Sequence, residues 1–132
     1  MMVGYNDEII DVKTSKNLED GHQRYFVLVT NSNNVKVMNA KSHRLEFMIS
    51  GHTNTVLCAD YWHPYIATAG KDNELKFWRI NEELHRVELL GNYHGHSGDI
   101  LSLCLLPKKH QIATVSDDHT LKLWPMISPA IE

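Results

Sequence analysis

Nine histidines among 132 residues are the first chemical signal in this sequence. Imidazole is the side chain that most readily binds metals and moves protons near neutral pH. His94-Gly95-His96 has an i, i+2 spacing that suits two ligands on a strand or loop. A zinc site needs Cys and His at finger-like spacing, and no such quartet is present. No metal site is therefore expected. Asp117-Asp118 sets two carboxylates side by side. Catalytic pairs need surroundings that push their pKa values apart, and nothing nearby would do so. A structural turn with Asp117 exposed is the expectation. No Ser, His and Asp stand in order behind a nucleophile elbow. The seven glycines are scattered, not gathered into a phosphate loop. No catalytic residue, no cofactor and no small-molecule substrate are expected. Lys108-Lys109-His110 is a small basic turn. It reads as a solvated loop, and the competing reading is a contact to RNA phosphate. Cys58 and Cys104 are expected to be buried free thiols, because a disulfide requires Cα atoms within about 7 Å.

Composition narrows the classes further. Thirteen basic against sixteen acidic residues give a net charge of −3. That balance gives no nucleic-acid footprint and no membrane-seeking patch. A hydrophobic content of 42% with 22% charged residues argues against disorder. Two cysteines cannot build a disulfide framework, so a reducing setting is the default. The run from Ile100 to Pro107 is the longest apolar stretch and is too short for a membrane span. The opening residues lack the basic and apolar regions of a signal peptide.

The elements that carry these residues repeat. Gly51-His52 recurs as Gly95-His96, and Ile66-Ala67-Thr68-Ala69 as Ile112-Ala113-Thr114-Val115. Leu75-Lys76-Phe77-Trp78 recurs as Leu121-Lys122-Leu123-Trp124. The turn between Pro107 and Ile112 is longer than its counterpart between Pro64 and Ile66. A fainter copy, Val35-Lys36-Val37-Met38, lies nearer the start. The units predicted are 1–50, 51–94 and 95–132. Short runs rich in β-formers alternate with turn signals such as Lys71-Asp72-Asn73. In the middle unit they are 55–61, 65–69, 74–79 and 85–90. Four antiparallel strands per unit of roughly 40–45 residues is the pattern of a β-propeller blade.

Gly-His, a later Asp and a Trp closing the third strand resemble the WD-repeat family. The likeness covers Gly51 to Trp78 and Gly95 to Trp124 well, and Tyr5 to Met38 poorly. It implies an all-β fold of WD-repeat β-propeller blades. It also implies a buried hydrogen-bonded tetrad in each regular blade. Carried onto this chain, the sets are His52, Thr68, Asp72 and Trp78, then His96, Thr114, Asp118 and Trp124. In the first unit Tyr5-Asn6, Leu28, Ser32 and Met38 occupy those positions, so no tetrad is expected. That unit reads as a degenerate blade held by Ile9, Ile10, Val12, Phe26, Leu28, Val35 and Val37. The other reading is an unrelated N-terminal segment.

Within the family, Val3 to Val12 and the third repeat with its Trp124-Pro125-Met126 are similar to WD-repeat subunits of the small-subunit processome. The resemblance implies a non-catalytic scaffold in the nucleolus, acting in pre-18S ribosomal RNA processing. Its partners would be other WD-repeat and processome proteins, with indirect or weak contact to small nucleolar and pre-ribosomal RNA. Tyr5, Asn6, Asp7 and Glu8 carry part of that likeness. The alternative is a WD-repeat adaptor in signalling or a ubiquitin-ligase substrate receptor. The Trp-Asp-x-Arg box of the ligase branch is missed by Trp78-Arg79-Ile80-Asn81 and by Trp124-Pro125-Met126-Ile127. Finally, eleven strands in three blades, the last without an outer strand, predict an unclosed propeller. Its open blade faces and strand edges should promote association.

Overall fold

The computed structural model describes residues 9–17 and 24–126. The described residues form eleven strands in three antiparallel sheets. The first sheet is β1 (Ile9–Lys13), β2 (Tyr25–Thr30), β3 (Val35–Asn39) and β4 (Leu45–Ile49). The second is β5 (Val56–Trp62), β6 (Tyr65–Gly70), β7 (Glu74–Asn81) and β8 (Arg86–His94). The third is β9 (Ile100–Leu106), β10 (Gln111–Ser116) and β11 (Leu121–Pro125). Within each sheet every strand pairs antiparallel with its neighbours in sequence, and the β4–β5 and β8–β9 connections lead from one sheet to the next. The sheets do not close into a ring, and the fold is that of an unclosed WD-type propeller.

Local chemistry explains the hairpins. The β6–β7 turn places Asn73 at φ 63°, a left-handed conformation that Asn tolerates. The Asp72 side chain accepts the Glu74 N–H at 3.2 Å and so closes the same turn. In the third sheet His119 takes the left-handed position at φ 70°, and Asp118 accepts the Thr120 N–H at 2.9 Å. The longer β9–β10 connection is a single 3-10 turn, Pro107–Lys109.

The core lies between sheets, not within one. Val27, Val29, Val35 and Val37 of the first sheet pack on Val56, Ala59, Tyr61, Ile66 and Ile80 of the second. Cys58, Ala67, Ala69, Leu75 and Phe77, on the opposite face of the second sheet, pack on Ile100, Leu103, Leu105 and Ile112 of the third. Every residue of β6 is buried. That accounts for its small side chains on one face, since Ala67 and Ala69 let the third sheet approach closely while Ile66 faces the first.

Two sequence expectations need correction. Ile9, Ile10 and Val12 do not hold the first blade together, for they are 43%, 51% and 49% exposed. They lie on β1, the edge strand of its sheet. Leu28, Val35 and Val37 are buried as expected, and Val27 and Val29 join them. Cys58 is buried, but Cys104 is exposed. Ala69 pairs with Cys58, whereas the matching Val115 pairs with Ser102. Ser102 therefore takes the place of Cys58, and Cys104 faces outward where Asp60 stands in the second sheet. Burial pushes the Cys58 thiol up to about 12.

Candidate functional site: two buried His, Thr, Trp and Asp sets

The structure brings the eight predicted site residues together in two matching sets. In the second sheet the Trp78 indole N–H donates to Thr68 Oγ1 at 2.9 Å. Thr68 Oγ1 lies 2.6 Å from His52 Nε2, and His52 Nδ1 lies 2.7 Å from Asp72 Oδ2. In the third sheet Trp124 Nε1 donates to Thr114 Oγ1 at 2.8 Å. Thr114 Oγ1 is 2.7 Å from His96 Nε2, and His96 Nδ1 is 2.8 Å from Asp118 Oδ2. Thr68 is 0% and Thr114 1% exposed.

The bonding closes only one way while the imidazole is neutral. The indole has no acceptor, so it donates to the hydroxyl oxygen. The hydroxyl hydrogen then goes to Nε2, and Nδ1–H goes to the carboxylate. Within each set every donor has an acceptor, so the penalty for orphaned polar groups is avoided there. Backbone groups extend the chain of bonds. Thr53 N–H donates to Asp72 at 3.2 Å and Ser97 N–H to Asp118 at 3.0 Å. The carboxylates thus fasten the loops that lead into β5 and β9.

Each set also explains its preceding glycine. A Cβ on Gly95 would sit 2.8 Å from Trp124 Cη2, closer than carbon atoms approach. Gly51 lies against Trp78 at φ 141°, a backbone conformation that side chains rarely adopt.

Burial lowers the His52 pKa, against the opposing pull of the Asp72 hydrogen bond. The Thr120 hydroxyl holds the Asp118 carboxyl well below the usual range, helped by His96 and by the Ser97 and Thr120 N–H groups. Sequence reasoning missed Thr120, whose hydroxyl bonds Asp118 Oδ1.

The first sheet carries no such set. Leu28 and Met38 occupy the Thr and Trp positions, each 1% exposed. Ser32, in place of Asp, meets the Thr30 hydroxyl at 3.0 Å and receives the Asn34 N–H at 3.2 Å. An apolar pair and a hydroxyl turn thus replace the tetrad. Tyr5, Asn6, Asp7 and Glu8 lie outside the described residues.

Polar links between sheets were also missed from sequence. Asp60 Oδ2 accepts the Leu105 N–H from the third sheet at 2.8 Å. Val56 N–H donates to Ser32 O at 3.0 Å. Near the first–second junction, the Tyr61 hydroxyl lies 2.7 Å from His63 Nδ1 and Glu82 Oε1 lies 3.1 Å from His63 Nε2. Arg24 reaches the same carboxylate at 3.1 Å. Burial lowers the His63 pKa as well. His94, the other half of the His94-Gly95-His96 motif, is 65% exposed and pairs with Glu74 at 3.2 Å instead of joining His96. Among the described residues no group of three His, Cys, Asp or Glu side chains could hold a metal ion.

The family model "WD domain, G-beta repeat" (WD40) matches residues 43–79 and 87–125, more than half of the chain. The chain belongs to the WD40 repeat family. The two matched segments contain the two hydrogen-bonded sets, and the first sheet lies mostly outside them. Among curated relatives, Transducin beta-like protein 3 of Bos taurus is 30% identical over 126 residues, 93% of this chain and 15% of that protein. The Homo sapiens protein of the same name is also 30% identical over 126 residues, with the same coverage. Eukaryotic translation initiation factor 3 subunit I of Pyricularia oryzae is 35% identical over 80 residues, 58% of this chain and 22% of that protein. The chain thus spans only about a seventh of the length of the transducin beta-like relatives it matches.

Proposed function

We propose that this WD40 chain is a non-catalytic interaction scaffold of the nucleolar small-subunit processome, acting in pre-18S ribosomal RNA processing. The observation that carries the reading is the 30% identity to Transducin beta-like protein 3 across 93% of the chain. The translation-factor relative aligns over 58% of it. The likeness at Val3 to Val12 and at Trp124-Pro125-Met126 points the same way.

The geometry supports a scaffold. The two His, Thr, Trp and Asp sets are satisfied internally, so their polar atoms are spent on holding loops and strands. In this reading they are structural tetrads within blades at 1–50, 51–94 and 95–132. Rigid blades then present their turns to other WD-repeat and processome proteins. RNA contact is indirect or weak, in keeping with a net charge of −3. Affinity purification of the tagged chain from cells, followed by mass spectrometry, tests the proposal. Enrichment of processome subunits is expected. Recovery of translation initiation factors without processome subunits would overturn it.

A further inference from the structure

The longer β9–β10 turn creates a surface that the second sheet lacks. Trp62 from the end of β5 and Leu105, Leu106, Pro107, Lys108 and Lys109 from the third sheet line a groove of about 280 Å³. Its floor is apolar, with a hydrocarbon wall from Leu105, Leu106 and Pro107 facing one aromatic residue. Lys108 and Lys109 are exposed on the 3-10 turn at its rim. Neither lysine pairs with a carboxylate among the described residues. The two ammonium groups put positive charge beside an apolar slot on a chain of net charge −3.

We propose that this groove docks an extended acidic peptide segment that inserts one large apolar side chain. The volume suits a single side chain, being below the range of drug-sized pockets. Apolar burial would supply the anchor, and the two lysines would select flanking Asp or Glu and set orientation. A nucleic acid fits less well. A single strand binds along a run of aromatic faces and a basic groove that tracks its backbone, and this site offers one Trp and two adjacent Lys. The groove uses none of the side chains of the two His, Thr, Trp and Asp sets, so the proposal does not depend on the processome assignment.

Fluorescence anisotropy on the intact chain tests it, with a labelled ten-residue peptide carrying one Phe between two Glu-Asp pairs. Saturable binding is expected, weakened at least about tenfold when the peptide Phe becomes Gly. The double substitution Lys108→Glu with Lys109→Glu should weaken binding by a similar factor, and Lys41→Glu on a distant exposed turn should leave it unchanged. Circular dichroism melts would establish that both variants fold like the parent. Absence of binding, an equal loss with Lys41→Glu, or binding of oligouridylate RNA while the peptide stays inert would each overturn the proposal.

Discussion

Thr68 is the residue on which the second sheet's polar network turns, because its hydroxyl both accepts from Trp78 and donates to His52. Thr68→Val keeps the shape and removes both bonds. The orphaned indole N–H and imidazole nitrogen should cost about 1–3 kcal/mol, read as a lower urea midpoint. Thr68→Ser keeps the hydroxyl and should lose only about 1 kcal/mol, the worth of one buried methyl. An equal loss in both variants would show that packing, not hydrogen bonding, matters at this position. Histidine supplies a pH prediction. His52 and His63 have pKa values lowered by burial. The unfolded chain therefore takes up protons near pH 6.5 while the folded chain resists them. Stability should be complete above that value and fall as the pH drops below it. A urea midpoint unchanged between pH 7.5 and 5.5 would contradict this.

At the scale of strands, Asp60 links the second sheet to the third through the Leu105 N–H. Asp60→Ala should leave that donor unpaired and speed its hydrogen exchange by about tenfold to a hundredfold, as loss of roughly 1–3 kcal/mol implies. Exchange at Val56, whose N–H is bound to Ser32 O at the other junction, should change little. Much of this scale was legible in the sequence. Strand alternation, turn residues and the recurring Gly-His and Trp located β5 to β7 to within a residue or two, because these features are local. The predicted fourth strand of the second blade ends at Leu90, whereas β8 runs on to His94. Tyr93 extends the pairing opposite Leu75 and places its hydroxyl 2.6 Å from Pro125 O, a tertiary contact with no local signal. The same limit explains Asp60 and Cys104. Asp60 meets a backbone N–H of the next sheet, and in the pairing Cys104 takes the place of Asp60 and not of Cys58. The eight site residues were named through the resemblance to WD repeats, which their types and spacing carry twice. Trp62 and Lys108 were not legible as neighbours, since their approach depends on how two sheets meet.

At the scale of the whole molecule, the sheets form an open series with one repeated contact surface. Ala67, Ala69, Leu75 and Phe77 on the second sheet are buried against the third. Their counterparts on the third sheet are Ala113, Val115, Leu121 and Leu123 by register. Leu121 is 64% and Leu123 55% exposed. A face of this kind drives association in water. The isolated chain should therefore self-associate with rising concentration, and Leu121→Lys with Leu123→Lys should shift it toward monomer in light scattering. A wild-type chain that stays monomeric throughout would contradict this reading. The proposed role of these blades in an early ribosomal particle is tested most directly by RNA recovery. Tagged chain should be purified from cell extract and its RNA quantified. The account predicts enrichment of pre-18S ribosomal RNA and small nucleolar RNA over mature 18S RNA. Equal recovery of precursor and mature RNA, or recovery of neither, would contradict it.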